Sequence, residues 1–265
     1  MKLIILLLLT TATLAGCTEA GNKDKSLLKI LTQLDPTCSQ SDRAKAIESL
    51  RHLGTNAFPF MIEEMNSFKW HTPEEKDEEV LSRTRRLRTA FEVFGADLAP
   101  LIPEFQANLD TNRNFVSALD GFVAMGDRGA PYLIVAMTNC EPPIRLNAVA
   151  AIIKVGTNSA IAKLAVPNLL LLLNDQSALI RCVSVETVGE LCAESDNCIA
   201  PLLKIALTDS DLVVRSQGVK AIGKISMRLG GMNANTKSVL EEISRQDKSD
   251  VVRLCAERVL AGKEP

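Results

Sequence analysis

Apolar residues in this chain fall at intervals of three and four, and each clear run opens on two apolar residues and an arginine. Val213-Val214-Arg215 leads to Val219, Ile222, Gly223 and Ile225. Leu179-Ile180-Arg181 leads to Val185, Val188, Gly189 and Leu191, then to Ala200-Pro201-Leu202-Leu203. Pro143-Ile144-Arg145 leads to Ala148, Ala151, Ile152, Val155 and Gly156, then to Val166-Pro167 and a leucine run. Val251-Val252-Arg253 leads to Ala256, Val259 and Leu260. The four arginines stand 36, 34 and 38 residues apart. Spacing of three and four aligns side chains along one helical stripe, so each copy is expected to carry a helix with one buried side.

Three earlier copies are looser. Asp42-Arg43 leads to Ala46, Leu50 and Leu53-Gly54, then Ala57-Phe58-Pro59. Arg83 and Arg86 lead to Ala90 and Phe94-Gly95, then Ala99-Pro100. Asn114-Phe115 leads to Ala118, Phe122 and Met125-Gly126, then Ala130-Pro131. The pattern predicts two antiparallel helices per copy, the arginine helix first. Glycine closing the first stripe suits a left-handed C-cap. Proline suits the first turn of the second helix, where its missing N–H removes no bond. One hairpin cannot bury its own apolar side, so the copies are expected to stack as a solenoid. Ser26 is expected to cap a helix carrying Leu27, Leu28, Ile30, Leu31 and Leu34, and the last copy to stop after its first helix at Gly262.

These copies resemble HEAT repeats. The resemblance covers about residues 40–265 and is densest in the last four copies. It implies an all-α fold, a right-handed α-α superhelix of about six helical hairpins plus capping helices over residues 26–265. It also implies a structural role for Arg145, Arg181, Arg215 and Arg253, bonded to acidic or backbone groups of the adjacent repeat. Asp211 and Asp250 stand shortly before Arg215 and Arg253, Asp175 six residues before Arg181, and Glu141 four before Arg145.

Composition agrees with helix-on-helix packing. Aromatics are only 4% of residues, so aliphatic side chains must fill the core. All eight phenylalanines lie between Phe58 and Phe122 and most fit stripe positions. A net charge of −2 gives no general attraction to nucleic acid. The only histidines are His52 and His71, without a metal-ligand spacing, a nucleophile motif or a phosphate-binding glycine loop around them. Neither an enzyme activity nor a cofactor is expected.

The N-terminus points to export. Lys2, the apolar run from Leu3 to Leu9 and the small residues up to Gly16 form a leader too short to span a bilayer. Leu14-Ala15-Gly16-Cys17 resembles the lipobox of bacterial lipoproteins, which implies cleavage before Cys17 and acylation of its thiol and new amino group, with palmitate as one such group. Residues 1–16 are then a signal peptide and 17–25 a short linker. The eight residues from Thr18 to Lys25 extend roughly 28 Å at ~3.5 Å each, which keeps the folded body near its membrane. Thr18, rather than Asp, follows the cysteine; in a two-membrane bacterium this favours the periplasmic face of the outer membrane. An oxidising compartment permits disulfides. Cys192 and Cys198, on either side of a loop-like pentapeptide, are the candidate pair, whereas Cys182 and Cys255 read as small buried hydrophobes.

Places that break the repeat are candidates for recognition. Residues 66–79 hold the only Trp, Trp70, with His71 and an acidic run. Trp70 either anchors a partner or folds back onto the solenoid. Arg83, Arg85, Arg86 and Arg88 either grip an acidic group or form a salt-bridged face, with Glu79 four residues before Arg83. Leu169 to Leu173, including Leu170 and Leu171, is apolar all round: either its helix is sandwiched, or some leucines face a groove. Gly230 and Gly231 lengthen a turn. The expected function is a lipid-anchored interaction or scaffold module at the cell envelope, with a concave face lined by the proline helices and holding an unknown protein or peptide. The alternatives are a small-ligand or enzymatic protein with a solenoid pocket, and a structural envelope lipoprotein. The oligomeric state is open.

Overall fold

The computed structural model describes residues 25–68, 78–192 and 196–263, and every regular element among them is helical. The chain divides into two compact units, Met1–Ala124 and Met125–Pro265.

The first unit carries α1 (25–33), α2 (Gln40–Leu53), α3 (Phe58–Asn66), α4 (Glu78–Phe94), α5 (Ile102–Asp110) and α6 (Phe115–Ala124). Residue 25 is already helical, so Ser26 lies inside α1 and does not cap it. The cap of α2 is Ser39, whose Oγ accepts from the Asp42 amide and donates to the Asp42 carboxylate. Gly54 ends that helix at φ +56°, a value that favours glycine. Pro59 occupies the first turn of α3 as expected, but Pro100 does not do so for α5. It lies within a 3-10 stretch, Gly95–Leu101, and Pro103 takes the first turn instead. The core of this unit sets a cluster of phenylalanines among leucines, alanines and methionines. Phe105 meets Phe91 and Phe122 edge-on, with centroids 5.2 and 5.5 Å away.

The second unit carries α7 (Ala130–Ala136), α8 (Pro142–Val155), α9 (Ala160–Lys163), α10 (Val166–Leu172), α11 (Ala178–Leu191), α12 (Ile199–Thr208), α13 (Leu212–Arg228), α14 (Ala234–Gln246) and α15 (Asp250–Leu260). Here the structure reverses the expected pairing. The hairpins are α7–α8, α10–α11, α12–α13 and α14–α15, each a proline-position helix followed by an arginine helix. The reason is the turn between them. Asn139, Asp175, Asp209 and Asp247 each accept the amide two residues on, at 2.8–2.9 Å, which folds the chain back within a few residues. The connections after α8 and α11 are longer. The last copy is therefore a complete hairpin. Its first helix lacks proline and is capped by Asn233, which accepts from Thr236 N at 2.8 Å.

The glycines also divide. Gly156, closing α8, has φ +123°, the cap role expected of it. Gly189 and Gly223 lie inside α11 and α13 instead. A Cβ on Gly189 would sit 3.0 Å from Ala221 Cβ, and one on Gly223 would sit 2.8 Å from a Val259 methyl. These two glycines let successive arginine helices approach closely, and α8, α11, α13 and α15 pack side by side far more extensively than the proline-position helices do. The arginine helices thus form the tighter side of the stack in this unit, and α7, α10, α12 and α14 the looser side. The expectation that proline helices line the inner face is reversed.

Candidate interaction surface

Three arginines are bonded forward to the next hairpin and backward to their own turn. Arg145 binds Asp175 through Nε and Nη2, each at 2.9 Å. Arg181 grips Asp209 with two bonds, 2.7 and 2.8 Å, and Arg215 grips Asp247 likewise at 2.8 and 3.0 Å. Each also donates to the carbonyl six residues before it: Arg145 to Asn139, Arg181 to Asp175 and Arg215 to Asp209, at 2.9–3.0 Å. Arg253 closes the series, donating to the Asp247 carbonyl at 2.6 Å and pairing with Asp250. The result is a continuous ladder in which every aspartate serves a turn, the preceding arginine and the following one.

Sequence reasoning found the arginines but missed Asp209 and Asp247. Asp211, named instead for Arg215, caps α13 by accepting from Val213 N and Val214 N. The missed signal was the offset: both aspartates stand six residues before an arginine, as Asp175 does. The electrostatics follow the bonds. Burial pushes the Asp209 carboxyl up, but the Arg181 guanidinium and the Asp211 amide together outweigh it and leave it below the ordinary carboxylate range. Asp247 behaves the same way with Arg215 and Ser249. Arg181 and Arg215 are correspondingly raised. Replacing both partners of such a buried pair by apolar residues is often neutral for stability, whereas removing one partner leaves a buried charge and is costly.

Residues 166–261, which contain most of this ladder, match the family model for HEAT repeats. This segment is similar to HEAT repeats. No curated protein matches the sequence. Among solved structures, the chain is similar to computationally designed armadillo repeat proteins for modular peptide recognition, with TM-score 0.47 and 19% identity, over 77% of this chain and 99% of that one. It is also similar to the archaeal HEAT-like repeats protein from Thermococcus onnurineus NA1, with TM-score 0.45 and 11% identity, over 90% and 96% of the two chains.

The stack leaves an apolar residue exposed at one equivalent first-turn position of each arginine helix. Leu179, Val213 and Val251, each two residues before the ladder arginine, are 57%, 51% and 55% exposed, and Pro143 takes that position in α8. Further along the same helices the surface is charged. Glu190 on α11 binds Lys224 and Arg228 on α13, and these bonds hold its carboxyl low against burial.

The other predicted residues fall apart. Cys17, Trp70 and His71 lie outside the described residues. Arg83 sits between Glu64 and Glu79, at 3.5 and 3.4 Å, with its guanidinium 5.6 Å over the Phe68 ring. Arg86 donates to the Ser82 carbonyl and the Thr32 hydroxyl. Arg85 pairs with Glu78 and Arg88 with Asp120. The arginine cluster is thus tied into its own unit and converges on no common point. Helix α10 is not sandwiched: Leu169 and Leu173 are buried, Leu170 is half-buried and Leu171 is exposed. Cys192 and Cys198 form a disulfide, Cα atoms 6.6 Å apart, joining the end of α11 to the start of α12. Cys255 is buried against Ser216, and Cys182 is half-buried. His52 is exposed, paired with Glu48, and borders an open cleft of about 330 Å³ between α1 and α2.

Proposed function

We propose that this chain is a lipid-anchored interaction module of the cell envelope, holding a protein or peptide against the arginine-helix side of its second unit. Stacked helical repeats commonly supply such extended binding surfaces. The observation that carries the reading is the register of Leu179, Val213 and Val251, exposed at one equivalent position on three successive arginine helices. Adjacent packed helices lie about 8–10 Å apart, so these residues offer apolar contacts at a regular pitch to a segment crossing the helices. Residues that served only to close the interior would not need to be apolar there. The Cys192–Cys198 disulfide suits an oxidising compartment, and the Leu-Ala-Gly-Cys17 motif suits export with lipid attachment. No catalytic step is part of the proposal.

The test is recovery of partners from detergent-solubilised membranes with the native chain and with a Leu179→Glu, Val213→Glu variant. Both positions are on the surface, so folding is retained, and the variant should lose a partner that the native chain holds. The same set of partners from both chains would defeat the reading. Replacing Cys17 by Ser should release the protein from membranes; unchanged attachment would remove the anchor.

A further inference from the structure

The three most exposed large hydrophobic residues among the described ones lie away from the arginine-helix row. They are Leu171, Val135 and Leu164, at 71%, 68% and 66%. Val135 on α7 and Leu171 on α10 occupy equivalent places, each four residues after the first-turn proline, Pro131 or Pro167. The two helices touch at this level, where Asn168 donates to the Ile134 carbonyl at 3.2 Å. Leu164 caps the C-terminus of α9, next to Lys163 and seven residues before Leu171. Neither helix contains a charged residue. The pattern ends with them: the equivalent positions in α12 and α14 are Ile205 and Ile243, both buried, and those helices carry Lys204, Lys237, Glu241 and Glu242.

We propose that this uncharged face of α7 and α10 rests on a lipid bilayer surface, with Val135, Leu164 and Leu171 dipping into the headgroup–acyl boundary. Two features favour a bilayer over a protein. Specific protein contacts need polar groups to fix orientation. Here the polar side chains are few, Tyr132 and Asn168, and Asn168 donates to the Ile134 carbonyl, so the face can discriminate little beyond apolar from wet. A bilayer boundary asks for no more than that, and its binding scales with buried apolar area. The inference rests on the proposed lipid anchor for its strength, because a tethered body meets the bilayer at high effective concentration.

The experiment places a photoreactive benzoylphenylalanine at position 171, or at 213 as the control, in the full chain reconstituted with phosphatidylethanolamine–phosphatidylglycerol vesicles. Expected is at least a tenfold excess of lipid adducts at 171 over 213. Equal lipid labelling at the two positions overturns the proposal, and so does a cross-linked dimer as the main product at 171, which would make the face a contact between copies. A Leu171→Glu, Val135→Glu chain, labelled at 164, should lose most of its lipid adducts with helical content unchanged; retained labelling counts against the proposal. The anchor is read separately, by the mass of the processed N-terminus and by the Cys17→Ser chain. If the native chain carries no lipid but the excess at 171 persists, the anchor reading fails and this inference stands. If lipid is present and the excess is absent, the reverse holds.

Discussion

The two units solve the same problem by opposite means. In the second, one solution is repeated: an aspartate closes a turn and binds the arginine of the preceding hairpin, and glycine lets neighbouring arginine helices touch. In the first, each contact is made once. Phe105 fills the space between Phe91 and Phe122, Asn114 donates to the carbonyls of Met65 and Phe68, and Arg88 reaches Asp120. A repeated solution spreads stability over equivalent interfaces, so a change at one should act on its neighbours and little else. Unique contacts concentrate it, and the centre of the aromatic cluster should be the most sensitive point in the molecule.

The largest effect is expected from Phe105→Ala. Removing the middle ring of three leaves a cavity and should cost about 3–5 kcal/mol. Hydrogen exchange should show the loss across α4, α5 and α6, with amides of α11 to α15 unchanged. Equal deprotection in both units would break the comparison, because it would mean that they unfold as one. Next is Arg215→Ala, at about 3 kcal/mol, the low end for a broken buried pair because the Asp247 carboxylate keeps its Ser249 amide. The change should loosen α13 to α15 first. The double variant Arg215→Met, Asp247→Leu should recover most of that loss, since an apolar pair needs no compensating charge. If it recovers nothing, the ladder contributes net stability that apolar packing cannot replace.

Gly189→Ala sharpens the contrast through its sign. In a helix interior alanine is favoured over glycine by about 1 kcal/mol. Here the added methyl would meet the Cβ and backbone of Ala221 at 3.0 and 3.1 Å, and backbone cannot swing aside. A net loss of about 1 kcal/mol is expected in urea titrations. A gain would show that the arginine helices are not held at contact.

What the sequence displayed and what it hid follow the same division. The arginine ridge is visible because it recurs, and the helices because their apolar stripes do. Where a repeat should be cut is not visible, since a periodic pattern looks the same from any starting point. Only the short turns at Asp175, Asp209 and Asp247 distinguish the hairpin from the connection between hairpins, and nearer acids such as Asp211 drew attention from them. Gly189 and Gly223 resembled caps because each falls near the end of an apolar stripe; their helices run on by two residues in α11 after Gly189 and five in α13 after Gly223. In the first unit, the phenylalanines were visible as a group, but which rings meet depends on contacts between residues far apart in sequence. Leu171 shows a further limit: in VPNLLLL every leucine looks alike, and the helix's rotation decides which is buried.

The smallest effect, and the most local, should come from Asp35. This buried carboxylate follows α1 and is held by the Ser82 hydroxyl of α4, with further bonds from the Thr37 amide and hydroxyl. The Ser82 bond is the main reason its pKa falls to about 2, against the opposing pull of burial. A carboxylate lowered in the folded state contributes stability that is fully present above its unfolded pKa, about 3.9, and is lost as pH drops through the folded value. Acid titration between pH 4 and pH 2 should therefore weaken the α1–α4 contact, read as faster exchange of amides in residues 25–38, before the rest of the first unit responds. Ser82→Ala should move that loosening toward higher pH, because the principal stabiliser of the charged form is gone. The second unit's Asp209 and Asp247 are also lowered, but each is shared between a guanidinium and a turn amide, so Ser82→Ala should leave their hairpins untouched. If the acid response at residues 25–38 is the same with Ser82 and with alanine, the hydroxyl is not what holds Asp35 in its charged form, and the contact between α1 and α4 must be carried by the buried leucines and the Arg86 bond to Thr32.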